Sequence, residues 1–430
     1  MRAPVLLASA LFASAALAQA PVIEISGANF RPLPLAYPAP YSDPSLKSAA
    51  AEVDDALWFD LAAAGVFDLL DRKSFLAGAK EGLAAEGIQF SRWADVGAEA
   101  LVKVQLARGE GDQLKAELHL YSVGPAREDL KLSESGKPDE LRQVAHRLAD
   151  GLYRSFTHEP SPFLSRIAYV KKAGNSREVW LSDWDGKNGR ALATGGLNLL
   201  PAVTPDGRGA AFTSYRRGNP DLWVQELGAG ARPLVQQGKM ATGVAFSPDG
   251  KRIAYALAED DSTQIWVANA DGSSPKRLTD TPYVINSSPT WAPDGKRLAF
   301  VSSRGGSPQV YWMNADGSSP QRLTFQGNYN QTPRWSPRGD LIAFTARDER
   351  NAFDLFTYNV ETGKIARLTQ DAGSNSEPSF SPNGRLVVFV SNRNGAPQLF
   401  VMTYDGRNQV PLKLDKGNYD TPSWGPAPRN

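Results

Sequence analysis

Val244-Ala-Phe-Ser-Pro-Asp-Gly-Lys-Arg-Ile-Ala-Tyr255 returns further along the chain as Pro289-Thr-Trp-Ala-Pro-Asp-Gly-Lys-Arg-Leu-Ala-Phe300. Pro333-Arg-Trp-Ser-Pro-Arg-Gly339 and Pro378-Ser-Phe-Ser-Pro-Asn-Gly384 repeat it, each followed closely by Leu-Ile-Ala-Phe or Leu-Val-Val-Phe. A degenerate copy surrounds Pro205-Asp206-Gly207, and a terminal one ends in Ser423-Trp424-Gly425-Pro426. The marker prolines Pro205, Pro248, Pro293, Pro337, Pro382 and Pro426 are spaced by 43, 45, 44, 45 and 44 residues. So constant a period marks a repeat architecture.

Each unit reads as four short strands. Strand A is the Phe/Trp-Ser-Pro segment. The pairs Asp249-Gly250, Asp294-Gly295 and Asn383-Gly384 then predict a two-residue hairpin turn with positive φ angles. Strand B is Arg-Ile-Ala-Tyr or its kin. Strand C carries aromatics, as in Gln264-Ile-Trp-Val267, Gln309-Val-Tyr-Trp312 and Gln398-Leu-Phe-Val401. A second turn falls at Asp185-Gly186, Asp271-Gly272, Asp316-Gly317 and Asp405-Gly406, before a strand D at Arg277, Arg322 and Arg367. Four antiparallel strands at this period make a propeller blade. The first copy, Arg166-Ile-Ala-Tyr169, is a strand B with no strand A before it. The last, Thr421-Pro-Ser-Trp-Gly-Pro426, is a strand A with nothing after it. Joining the two closes a ring of six blades and leaves no open sheet edge.

The rest of the chain bounds its chemistry. It has 430 residues, with 47 Lys+Arg against 46 Asp+Glu, three His and no Cys. Near-neutral charge argues against nucleic-acid binding. The lack of Cys excludes disulfides, thiolate nucleophiles and Cys-ligated metals. Arg2, the apolar run Val5 to Leu17 and the small residues Ala16 and Ala18 form a secretory signal, with cleavage expected after Ala18 because Pro21 disfavours a cut after Ala20. The run is short of the roughly 18 residues a membrane anchor wants. An exported protein without stable membrane insertion is expected, with residues 1–18 removed and a mature formal charge of zero.

Residues 19–158 lie outside the period and predict a small α/β domain. Leu46, Ala50, Val53, Leu57 and Leu61 have helical spacing, as do Leu141, Val144, Leu148, Leu152 and Phe156. Two strand-like runs, 100–107 and 114–121, flank a turn at Gly109 to Asp112. Pro160-Ser-Pro162 stiffens the joint to a propeller spanning 163–430. The fold class is therefore an α/β N-terminal domain followed by an all-β six-bladed β-propeller closed by its C-terminal strand.

Catalytic signatures are absent: no G-x-S-x-G elbow, H-E-x-x-H, Walker A loop or G-x-G-x-x-G in a βαβ context occurs. His119, His146 and His158 read as solvated surface residues. The recurring Asp-Gly pairs read as turns rather than calcium loops. Recurrence likewise points Arg216, Arg304, Arg347 and Arg393 to a shared structural role, and Trp266, Phe300, Trp312 and Phe344 to the blade core. No catalytic residue, cofactor or metal site is expected. Function is sought where the repeat varies, in the loops from strand D to the next strand A around one mouth of the channel. These are rich in Asn, Ser, Thr, Gln and Tyr, a composition that suits docking of a protein loop and equally suits any solvated rim.

The order of export signal, α/β domain and six blades resembles the TolB family, periplasmic components of the Tol–Pal system of Gram-negative bacteria. The likeness runs through Arg31-Pro-Leu-Pro-Leu35, Arg166-Ile-Ala-Tyr-Val170, Pro308-Gln-Val-Tyr311, Ser319-Pro-Gln-Arg-Leu-Thr324 and Pro422-Ser-Trp-Gly-Pro426. The resemblance implies a monomeric, non-enzymatic scaffold serving outer-membrane invagination during cell division and envelope integrity. The propeller mouth would bind the lipoprotein Pal, and the mature N-terminal strand would bind the inner-membrane protein TolA. Carried over by position, the Pal-facing candidates are Met240, Thr242, Asn286, Ser287, Ser288, Asn330, Gln331, Ser376, Glu377 and Asp420. Met240-Ala-Thr-Gly243 stands where the family often has His-Asn-Gly-Ala. The TolA-facing candidates are Val22, Ile23, Glu24 and Ile25, an alternating segment suited to strand addition. The alternatives are an exported propeller enzyme, either peptidase-associated or a glycan lyase or hydrolase, and a carbohydrate- or metal-binding propeller.

Overall fold

A computed structural model describes residues 30–75, 81–235, 240–347 and 349–428. The signal segment, the expected cut after Ala18 and the segment Val22 to Ile25 lie outside the described residues. The N-terminal domain is a mixed sheet with helices packed on it. Its strands are β1 (Leu33–Ala36), β2 (Tyr41–Ser42), β3 (Phe67–Leu69), β4 (Ala100–Arg108), β5 (Leu114–Ser122) and β6 (Arg127–Gly136), in the order β3-β1-β4-β5-β6 with β2 also on β4. Strands β4 and β5 form the expected hairpin, with Ala107 opposite Lys115.

Helix α1 (Lys47–Ala63), the short α2 (Phe90–Asp95) and α3 (Leu141–Thr157) complete the domain. The apolar positions read from the sequence are buried on α1 and α3. Both long helices are buried on a second side as well. On α1 this side includes Phe59 and Asp60, and on α3 Arg142, Ala145, His146, Ala149 and Tyr153. An isolated amphipathic helix needs one buried stripe. The second exists here because the domain lies against the propeller.

The propeller begins with β7 (Arg166–Ala173), β8 (Ser176–Asp183) and β9 (Arg190–Ala193). Five four-stranded sheets then follow in chain order: β10–β13 within 198–235, β14–β17 within 241–277, β18–β21 within 286–322, β22–β25 within 330–367 and β26–β29 within 375–411. The last strand, β30 (Tyr419–Gly425), returns to pair antiparallel with β7, setting Trp424 opposite Ile167 and Ser423 opposite Ala168. We call the sheet β30-β7-β8-β9 blade 1 and the others blades 2 to 6. The six-bladed ring and its closure by the C-terminal strand are as the repeat predicts.

The turn after strand A differs from expectation. Gly250, Gly295 and Gly384 have φ of 69°, 66° and 68°, whereas Asp249, Asp294 and Asn383 are not left-handed. The reason is the preceding proline, whose ring holds φ near about −65° and starts a type I turn. The Gly250 N–H then donates to Ser247 O at 2.8 Å, and Asp249 Oδ1 accepts the Lys251 N–H at 3.1 Å. The loop is one of four residues, with left-handed geometry confined to the glycine.

A second departure recurs in every inner strand. Leu200, Gly243, Ser288, Thr332, Glu377 and Thr421 all have φ between 44° and 65°, and each sits in a register break of the ladder with strand B. Five of these are followed by proline: Pro201, Pro289, Pro333, Pro378 and Pro422. Proline has no N–H for the ladder, so a bulge sets two residues against one and takes the ring out of the pairing.

The closing strand and the N-terminal domain meet on one aromatic cluster. Trp184, just after β8, stacks on Trp424 at 6.0 Å between ring centroids and meets Phe163 at 5.1 Å and Phe59 of α1 at 5.0 Å with the rings tilted. Trp424 Nε1 donates to Ser165 Oγ at 2.7 Å, and its N–H to Ser379 Oγ of blade 6 at 2.9 Å. We predict that Trp424→Ala lowers unfolding free energy by about 3–5 kcal/mol, read as a lower urea midpoint. Trp312→Ala, which removes a half-buried ring stacked on Trp335 away from the docked domain, should cost less.

Candidate functional site

In a blade of four antiparallel strands the A–B and C–D turns share one face of the ring, and the B–C turns and D-to-A loops share the other. Among the described residues, the polar contacts from the N-terminal domain and linker to the propeller go to the first face. Arg385, after an A–B turn, donates to Glu159 Oε2 at 2.8 Å and Oε1 at 2.6 Å. Asn383 donates to Pro160 O at 2.9 Å, and Asn408 to Ala62 O at 2.6 Å. Gly65 has φ of 74°, and a Cβ there would collide with Thr403 of blade 6. Among the described residues the second face, with the mouth loops, carries no such contact.

The face under the domain holds the largest departure from the expected chemistry. His146 is fully buried, with Nδ1 2.7 Å from Asp60 Oδ2 and Nε2 3.6 Å from Asp185 Oδ2. Asp60 Oδ1 accepts from Trp184 Nε1 at 3.0 Å. Arg142 Nε donates to Asp185 at 2.6 Å and Nη1 to Asp55 at 3.0 Å, and Lys413 of the propeller also pairs with Asp55. Burial pushes the Asp60 carboxyl up to about 6, outweighing His146 and Arg142, which pull it down. Burial pulls the His146 imidazole down, but the Asp60 carboxylate outweighs it and the net shift is upward. The pair thus retains a proton above ordinary histidine pH. His146 is therefore no surface residue, because the propeller covers the helix face that looks polar in the sequence. His119 is only 6% exposed, beside Glu128 and stacked on Tyr121, whose ring is buried in a cluster with Ile88 and Trp93. His158 alone is exposed, as the left-handed C-cap of α3.

At the mouth, the inner strands arrange the predicted residues in tiers. The first residue of strand A is buried in each of blades 2 to 6, and Asn286 and Asn330 are 0% and 2% exposed. Asn286 Nδ2 donates to Gln264 at 3.0 Å and Asn330 Nδ2 to Gln309 at 2.9 Å, while Thr279 and Thr324 donate to the same two glutamines. Asn375 makes the matching bond to Asp354 at 3.1 Å. These asparagines fasten the D-to-A loops to strand C, so Asn286 and Asn330 shape the mouth from beneath and offer no free amide. Their recurrence is what a structural role looks like. The arginines behave likewise. Arg304 and Arg393 donate to Ser302 and Ser391 and stack on Tyr311 and Phe400, Arg216 does so on Ser214 and Trp223, and Arg347 stacks on Tyr329.

The next two tiers remain half-buried on the channel wall: Thr242, Ser287, Gln331, Ser376 and Asp420, then Ser288 and Glu377 at the bulge. Burial raises the carboxyls of Glu377 and Asp420 above their ordinary range, with Arg334 and Arg177 respectively opposing. Met240 stands outside the wall, 49% exposed. It has company that loop composition did not reveal. Leu197, Tyr283, Ile285 and Phe325 are 42%, 81%, 58% and 71% exposed. All five belong to D-to-A loops, so they form an apolar crescent across blades 2 to 5. The signal available in sequence was positional: Leu197, Met240, Ile285 and Tyr329 each stand one residue before strand A. Among the described residues no group of three or more His, Asp or Glu is placed to hold a metal ion, and no helix is long and apolar enough to cross a membrane.

Fold and site together define a two-domain protein: a six-bladed propeller that seats an α/β domain on its closing blade and leaves the opposite mouth open. Residues 21–128 match the TolB amino-terminal domain and residues 153–428 the TolB beta propeller domain. The Tol-Pal system protein TolB of Myxococcus xanthus is 64% identical over 415 residues, covering 96% of each chain. That of Anaeromyxobacter dehalogenans is 48% identical over 430 residues, covering 99% of this chain and 98% of its own. The crystal structure of TolB from Acinetobacter baumannii superposes with a TM-score of 0.79 at 28% identity, over 95% of this chain and 98% of that one. The chain belongs to the TolB family.

Because His146 gains its proton affinity on folding, its stabilising contribution is complete below about pH 6.5 and fades as pH rises through the raised value. We predict that His146→Gln costs about 3 kcal/mol near pH 6. The deficit should shrink steadily toward pH 9 in urea titrations at each pH. A deficit independent of pH would mean that the ring serves only as packing.

Proposed function

We propose that this protein is a periplasmic scaffold of the Tol–Pal system, with Pal at the propeller mouth and TolA on the N-terminal segment Val22 to Ile25. The observation that carries the reading is the apolar crescent Leu197, Met240, Tyr283, Ile285 and Phe325 on the face away from the docked domain. Exposed apolar side chains gathered on one face beside polar groups are the makeup of a protein interface. Thr242, Ser287, Ser288, Gln331, Ser376, Glu377 and Asp420 supply the polar wall beside it. Membership of the TolB family, whose named relatives are Tol-Pal system proteins, supports the assignment of partners.

In this reading residues 1–18 are a leader cleaved after Ala18, residues 19–158 form the N-terminal domain with its TolA-binding segment, and residues 163–430 form the propeller. The mature protein acts as a monomer, catalyses no reaction and links the inner-membrane partner to the outer-membrane one during envelope invagination. The two candidate sites lie in different segments of the chain, so each is altered without changing the residues of the other.

The test is binding of the periplasmic domain of Pal, and separately of TolA, to purified mature protein. Tyr283→Glu with Ile285→Glu should weaken Pal at least tenfold, about 1.4 kcal/mol, with the melting temperature unchanged. Removing residues 19–26 should abolish TolA binding and spare Pal. Unaltered Pal affinity in the double variant would move the site away from the crescent.

A further inference from the structure

The channel carries a second feature, at the end opposite the mouth. Below the bulges, the inner strands line an open cavity of about 210 Å³, whose wall includes Pro337 of an A–B turn. One water needs only about 10–15 Å³. The wall is mostly proline, alanine, valine and aromatic side chains, and no Asp or Glu lines it. Into this setting blade 5 places Arg334. Its guanidinium makes one hydrogen bond, from Nη1 to Pro333 O at 3.1 Å, and no ion pair within 4.0 Å is found for it among the described residues.

The same tier of the inner strands supplies hydroxyls. Thr290, Ser379 and Ser423 occupy in blades 4, 6 and 1 the position that Arg334 occupies in blade 5, and all three line the cavity. Each oxygen accepts a backbone N–H from the neighbouring blade: Trp335 onto Thr290 at 3.3 Å, Trp424 onto Ser379 at 2.9 Å and Val203 onto Ser423 at 3.3 Å. With the oxygen so engaged, the hydroxyl hydrogen is left to donate. None of the three donates to another described protein group. A half-buried guanidinium with one hydrogen bond and three O–H groups without an acceptor, gathered in one cavity, present donors that an anionic acceptor would satisfy. Burial pulls the Arg334 guanidinium down from its ordinary range, and Glu377 is the only charge opposing that shift.

We propose that this lower cavity is a binding site for a small oxyanion, a phosphate-like ion or a free carboxylate, held by Arg334 and by the hydroxyls of Thr290, Ser379 and Ser423. A planar guanidinium presents two parallel N–H groups to paired oxygens, which favours such ions over chloride. The site stands apart from the docking crescent and does not depend on the identity of any protein partner. Glu377, one tier above, repels the anion and tempers its affinity.

The test is titration of the full mature chain with inorganic phosphate, and separately with acetate, against sodium chloride at matched ionic strength. Calorimetry and tryptophan fluorescence serve as readouts, since Trp335 and Trp424 line the cavity. Saturable binding of either oxyanion, absent with chloride, is expected. Arg334→Leu should weaken it at least tenfold, Arg334→Lys should keep part of it, and Glu377→Gln should tighten it. An equal response to chloride, or unchanged binding in Arg334→Leu, overturns the site. If Arg334→Leu fails to fold, Arg334→Lys decides, since oxyanion binding there as tight as in the unaltered protein removes the paired contact given to Arg334.

Discussion

The stack of Trp184 on Trp424 is the contact on which the other arrangements rest. One ring comes from β8 and the other from β30, so the pair exists only when the C-terminal strand has taken its place beside β7. The same Trp184 packs on Phe59 and donates to the buried Asp60. Ring closure, domain docking and the buried charge pair therefore share one side chain. A blade closed by strands from two ends of the sequence is the natural weak point of a propeller. Here that point is covered by the N-terminal domain.

The buried polar cluster beneath the domain works differently from the aromatic one. Apolar burial there is non-directional and would tolerate a small rotation of the domain. The bonds among Asp60, His146, Arg142 and Asp185 admit one geometry, because each buried charge left without its partner costs several kcal/mol. The aromatic cluster supplies attraction, and the charges supply orientation. Around the ring, repetition divides the labour similarly. What recurs in several blades, such as Asn286 with Gln264 or Arg304 with Tyr311, holds loops and strands in place. What varies, such as Met240, Tyr283, Phe325 and Arg334, is what a ligand or partner meets.

The blade count, the strand order and the closure were legible because they depend on a period and on short-range turn chemistry. Turn geometry was legible only in part: Gly250 was placed correctly in left-handed space, but Pro248 changed the turn around Asp249. The bulges at Leu200, Ser288 and their counterparts escaped because they answer to a ladder partner many residues away, although the prolines after them are visible. His146 was misplaced for a tertiary reason. Its helix has a polar second face, and nothing local to α3 states that a propeller will cover it. The mouth was legible as a region and not in its contacts. Asn286 looked like a surface donor and is spent inside the blade, while the polar composition of the loops drew the eye away from Tyr283 and Ile285. Single exposed hydrophobics are ordinary, and only the ring geometry gathers them into one surface.

The pairing of β30 with β7 also sets an order of events in time. The two strands are separated by roughly 250 residues, so blade 1 closes only after the five intervening blades have formed or at least collapsed. Contacts so distant in sequence form slowly, because the loop entropy is spent before they are made. The α/β domain is synthesised first, yet the surface it sits on, made by Trp184 with Trp424 behind it, is finished last. Correct seating of the domain thus reports that the final strand is in place. A chain cut short before Tyr419 would lose its ring closure and its domain orientation in a single step, exposing one large apolar face to whatever inspects unfolded protein.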